Sequence, residues 1–137
     1  MYKLILLLFL LIPSVAFSMS LYKLNGQCGK HVRVVSTFLS NPPAATYIND
    51  QGEFIVMDAN FMRQQTDRAI WFVFFHECGH RVNKHSKWFN PPNKEDVADC
   101  YAAHRFVTTF GYSELKKTLL ELQNEPGRDK RILSCLQ

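Results

Sequence analysis

The stretch "AIWFVFFHECGH", Ala69 to His80, limits this chain more than any other. Its first seven residues are apolar, so the segment has to be buried. Thr66 or Asp67 can cap a helix running from about Asp67 to His85, and Pro91 and Pro92 forbid its extension through the following loop. A buried helix has no cheap place for His76, Glu77 and His80, because unpartnered polar side chains in a core are costly. A helix turns about 100° per residue, so His76 and His80 point the same way, one turn apart. Both imidazoles can then bind one tetrahedral metal ion. Glu77 lies about 100° round the helix, too far to join them as a ligand but placed to hydrogen-bond a water on the metal. That is the division of labour of a His-Glu-x-x-His zinc site, two ligands and one general base. Cys78 falls on the opposite side of the helix and belongs to the scaffold. Gly79 lets another backbone come close. Matches of five residues also arise by chance, and a metal-free helix is the alternative.

Zinc in a catalytic site takes three protein ligands and keeps one position open. The next helix, about Lys94 to Phe110, offers Glu95 and Asp99, four apart and on one face. Ala98 and Ala102 make that surface small. Two helices can pack closely there and bring Glu95 to the metal, leaving Asp99 one turn away beside a histidine ring. The competing reading is a solvated acidic first turn, favourable at any helix N-terminus.

Together, "HECGH" and "EDVAD" resemble the HExxH…ExxAD pattern of gluzincins, in particular the CAAX-prenyl-protease-like and minigluzincin metallopeptidases. The resemblance covers about Phe72 to Phe106. It implies a zinc-dependent peptidase holding one Zn2+ ion on His76, His80 and Glu95, with Asp99 behind a ligating histidine and Glu77 as catalytic base. It implies a zincin-like α+β fold with a small sheet beside the active-site helix. An edge strand of that sheet, expected in "GEFIVMD", would pair with an extended peptide. No oxyanion-stabilising residue can be assigned; Tyr47, Tyr101, His104 and Arg105 are candidates. His104 points away from Glu95 on a regular helix and is read as structural. Asp96 is expected to be solvated. His85 would point away from His76 if the helix persisted, but is expected near the helix C-terminus, where a partly charged His is favourable. His31 has no partner that can be named.

The N-terminus reads as an export signal. Lys3 precedes an apolar run from Leu4 to Ile12, followed by Pro13 and small residues, with cleavage expected after Ser18. The run is shorter than the roughly 20 residues a spanning helix needs, so no stable membrane insertion is expected after cleavage. Residues 19–137 then form one compact domain, periplasmic or secreted. The full chain carries a net charge of +4 with no dense basic block, which argues against nucleic-acid binding.

Cys28, Cys78, Cys100 and Cys135 lack the close CxxC spacing of a four-thiolate zinc site. In an exported chain they suggest two disulfides, and three pairings are possible. The expected one joins Cys100 to Cys135 and Cys28 to Cys78, bracing the site from behind.

The first half reads as two or three short strands, in "KHVRVVSTFLS", "ATYIND" and "GEFIVMD", with "NDQG" as a hairpin turn. Asp58 can cap a short helix, "ANFMRQQ". Asn93 can cap the Lys94 helix, and Gly111 can close it in a left-handed conformation. Ser113 can cap a helix to about Gln123, and a last short helix carries Cys135. The expected activity is hydrolysis of peptide or protein substrates. The alternatives are a catalytically weak zincin-fold binding module and a small disulfide-stabilised effector. The oligomeric state is not legible.

Overall fold

A computed structural model describes residues 21–85, 89–122 and 125–137. The expected signal segment, Met1 to Ser18, lies outside the described residues. The architecture is α+β, in the order α1 (Leu21–Leu24), β1 (Val32–Thr37), β2 (Ala44–Asn49), β3 (Gly52–Asp58), α2 (Ala59–Gln64), α3 (Asp67–Val82), α4 (Lys94–Phe110), α5 (Tyr112–Glu121) and α6 (Arg128–Ser134). None of the described helices is long and apolar enough to cross a membrane.

The sheet has strand order β1-β3-β2. β2 and β3 form the expected antiparallel hairpin, with Asn49 opposite Gly52 at the turn. β1 lies parallel to β3, Val34 opposite Ile55. This corrects the expectation that "GEFIVMD" is an edge strand: β3 is central, and β2 is the edge nearer the helical layer. The physical reason is visible in β3 itself. Ile55, Val56, Met57 and Asp58 are all buried in succession, as a strand covered on both faces requires.

Local chemistry sets the helix starts. Asp58 accepts a hydrogen bond from the Phe61 N–H and caps α2; it also accepts one from Leu39 N–H, pinning the β1–β2 connection. The Thr66 hydroxyl accepts from Ala69 N–H and caps α3. Asn93 stands at the start of α4 but makes no side-chain cap bond. Gly111 has φ 93° and ψ 160°, a positive-φ kink rather than a left-handed helical cap. Consequently α5 begins at Tyr112, and Ser113 lies inside its first turn instead of capping it. The expected end of that helix at Gln123 lies outside the described residues.

α3 is the spine of the molecule, buried from Phe72 through Gly79. The sheet packs on it together with α4 and α5. Phe74, Phe75 and Phe106 are fully buried in the core. α3 and α4 cross at very short range: a Cβ on Gly79 would stand 2.8 Å from Ala98 Cα and 2.9 Å from Ala98 O. Cys28 is joined to Cys78 and Cys100 to Cys135, each with Cα atoms 5.4 Å apart, within the normal disulfide range. The first bond ties the N-terminal segment to the back of α3, and the second ties the C-terminal end of α6 to α4. Two disulfides fit a protein of an oxidising, extracytoplasmic environment.

Candidate metal centre

The close crossing at Gly79 and Ala98 decides what meets what. It brings the first turns of α4 across the last turns of α3, so Glu95 comes over His76 and His80. His76 Nε2 lies 3.0 Å from His80 Nε2 and 3.1 Å from Glu95 Oε2. His80 Nε2 lies 3.5 Å from the same Glu95 oxygen. Ligand atoms about 2.0–2.1 Å from a tetrahedral zinc stand roughly 3.3 Å apart, so this triangle has the right size. Its chemistry also fits. Two imidazole nitrogens and a carboxylate oxygen converge as three electron-pair donors, and a single proton among them can bridge only one pair. A cation satisfies all three, and among the described residues His76, His80 and Glu95 form the one group that could hold a metal ion.

The residues behind the triangle fix its tautomers. His76 Nδ1 donates to Asp99 Oδ1 at 2.7 Å, which leaves Nε2 facing the triangle, where it could take a cation. Asp99 is itself clamped by Arg128, whose Nε donates to Oδ2 at 2.8 Å and Nη2 to Oδ1 at 2.6 Å. Bidentate guanidinium–carboxylate pairs hold orientation as well as charge. The outer end is open: the His76 side chain is 10% exposed and that of Glu95 60%.

Without a cation, burial pulls His76 down, but its bonds to Asp99 and Glu95 outweigh that and push it up to about 9. His80 goes the other way, to about 4, because it is buried beside the charged His76. The hydrogen bond from His76 is the largest influence on Glu95 and holds it down at about 2. Burial works to raise Asp99, yet Arg128 and His76 hold it at about 2. The carboxylates of Glu95 and Asp99 thus favour positive charge on His76.

Glu77 is buried at 7% exposure and stands outside the triangle. Burial raises its pKa. Thr46, on the edge strand β2, places its Oγ1 2.7 Å from Glu77 Oε2 and 3.1 Å from the Glu77 carbonyl oxygen. A cleft of about 830 Å³ opens over His76, Glu77, His80 and Glu95. Pro42 to Thr46 line one part of it, and Leu119, Arg128 and Ile132 another.

His76, Glu77, His80, Glu95 and Asp99 are therefore brought together. Tyr47, Tyr101, His104 and Arg105 are not among the residues lining the cleft. Arg105 instead lies over Phe75 and donates to the Gln27 carbonyl, and His104 is exposed. Asp96 is exposed and pairs with Arg131 at 3.5 Å. His31 is exposed.

The sequence reading missed three contributors. Thr46 is 31 residues from Glu77, and Arg128 is 29 from Asp99; neither separation leaves a local pattern. The third is His85. It lies just past the end of α3 at Val82, near the helix C-terminus as expected, but its partner was not foreseen: His85 Nδ1 lies 2.9 Å from His80 Nδ1. No family model, no curated protein and no solved structure matches this chain.

Proposed function

We propose that the protein is an exported zinc-dependent metallopeptidase, with His76, His80 and Glu95 holding one zinc ion and Glu77 acting as general base. The observation that carries this reading is the separation of roles within one cleft. Three donor atoms converge, and a separate acidic group, Glu77, stands beside them without joining them. The HExxH…ExxAD resemblance points to the same activity, and the paired cysteines fit export.

A zinc ion in the cage would supply Lewis acidity, lowering the pKa of a bound water to about 7 and polarising a substrate carbonyl. The chain's own residues supply the rest. Asp99 and Arg128 hold the His76 ring so that its Nε2 stays aimed at the cage. Thr46 engages one oxygen of Glu77 and leaves the other to take a proton from water. Burial makes that carboxylate a stronger base than one in solvent. After attack, Glu77 passes the proton to the leaving amine. β2, at the edge of the sheet and along the cleft, is the strand that an extended peptide would follow.

The test uses the chain from Met19 and measures zinc content together with hydrolysis of a peptide library. Glu77→Ala should retain zinc and lose turnover, whereas Glu95→Ala should lose zinc affinity. Stoichiometric zinc without hydrolysis of any peptide would favour a metal-holding binding module. A wild-type chain that carries no stoichiometric metal would refute the proposal.

A further inference from the structure

The end of α3 explains how His85 reaches His80. Lys84 has φ 56° and is alone among the described non-glycine residues in having positive φ. The His85 N–H donates to the His80 carbonyl at 2.9 Å, and the Lys84 N–H to the Arg81 carbonyl at 3.0 Å. This pair of bonds is a Schellman closure, which folds the second residue past the helix back over its third-last residue. Here those two residues are His85 and His80. A lysine holds the left-handed position that glycine usually takes, where its Cβ crowds the following carbonyl oxygen. Backbone strain of this kind is a pointer to function.

A chain of proton placements follows at constant charge. His80 must keep the Nε2 lone pair for the metal, so its proton sits on Nδ1. At 2.9 Å that N–H donates to His85 Nδ1, which must be unprotonated. A neutral His85 then carries its own proton on Nε2. His85 lines the cleft together with His76, Glu77, His80 and Glu95, and it is half-buried. We propose that His85 is the cleft's hydrogen-bond donor. It accepts the Nδ1–H of His80, and it offers its own Nε2–H to the substrate carbonyl oxygen as negative charge develops there. The donor half rests on the peptidase reading above. It would fill the oxyanion-stabilising role for which Tyr47, Tyr101, His104 and Arg105 were the candidates, none of which lines the cleft.

Two substitutions separate the two edges of the ring. Asparagine is short: its Oδ1 can stand where Nδ1 stood and still accept from His80, but it cannot reach the Nε2 position. Glutamine reaches the Nε2 position with an N–H and leaves His80 without an acceptor. Zinc affinity, measured by competition with a chromophoric chelator, should fall about tenfold to a hundredfold in His85→Gln, the loss typical of removing a ligand's outer partner. It should be unchanged in His85→Asn. Zinc-loaded His85→Asn should bind a phosphinic peptide, a tetrahedral mimic of the attacked carbonyl, at least tenfold more weakly than wild type. Its kcat should fall about a hundredfold, the usual cost of one oxyanion donor. Lys84→Val, which disfavours the left-handed turn without touching either ring, should reproduce the zinc loss of His85→Gln, and Lys84→Gly should not.

The two proposals fail separately. If wild type cleaves peptides, and His85→Asn binds the phosphinic peptide and turns over like wild type, His85 is not the donor and the peptidase reading stands. If wild type cleaves nothing but His85→Asn still weakens phosphinic-peptide binding, His85 remains the cleft's hydrogen-bond donor to a bound anion, while its role in turnover falls with the peptidase reading. Unchanged zinc affinity in both His85→Gln and Lys84→Val would overturn the positioning of His80.

Discussion

Replacing Gly79 by alanine tests how Glu95 reaches the cage. The added Cβ would stand 2.8 Å from Ala98 Cα, 2.9 Å from Ala98 O and 3.1 Å from Tyr101 Cβ. Ordinary contact begins at 3.4 Å, so α3 and α4 would have to part by about 0.6 Å, taking the nearest distance. The two nearest atoms are backbone, so no rotamer change relieves the clash. Glu95 and Asp99 ride on α4 and would move with it, about three times the ~0.2 Å tolerance of a metal–ligand distance. The buried His76–Asp99 bond would stretch at the same time. Zinc affinity should fall at least tenfold, in the range seen when a ligand's support is disturbed. Stability should change less. Alanine gains about 1 kcal/mol of helix propensity, and overpacking costs about 1–3 kcal/mol, leaving a net loss of at most about 2 kcal/mol. The assay pairs chelator competition with urea denaturation of the metal-free protein. Wild-type zinc affinity in Gly79→Ala, at equal or higher stability, would refute the idea that this crossing positions the third ligand.

Three further outcomes are expected. Arg128→Leu removes both bonds to Asp99 and should weaken zinc binding about tenfold to a hundredfold without altering the far-ultraviolet circular dichroism. Thr46→Val frees the Glu77 carboxylate and should lower kcat about tenfold, the scale of one lost hydrogen bond to a charged group, with zinc content unchanged in the same samples. The metal-free protein should lose stability in alkali. His76 is raised from 6.5 to about 9 in the folded state, so its contribution is complete below pH 6.5, declines as pH rises, and is gone above about pH 9. Urea midpoints with a chelator at pH 7 and pH 9.5 measure this, and an equal or higher midpoint at pH 9.5 would count against the His76–Asp99–Glu95 arrangement.

What the sequence disclosed was local, and what it concealed was distant or lacked a marker. Asp58 and Thr66 cap their helices through bonds spanning three residues, so the cap and its helix are written side by side. The i, i+4 pairs His76/His80 and Glu95/Asp99 belong to single helices, and the small residues Gly79 and Ala98 mark where those helices meet. The parallel pairing of β1 with β3 leaves no such trace, although the unbroken burial potential of Phe54 to Met57 was a signal that β3 is central. The turn at Lys84 was hidden because glycine, its usual sign, is absent. Arg128 and Thr46 act across the fold, and only the assembled core shows which carboxylates they serve.

The most direct measurement is elemental analysis of the oxidised chain from Met19, purified without added metal and then equilibrated with one equivalent of zinc. Wild type should hold one zinc ion per chain through dialysis, and both His80→Ala and Glu95→Ala should lose it. Wild type without zinc after dialysis, or full zinc retention in both variants, would contradict the assignment of His76, His80 and Glu95 as a metal site.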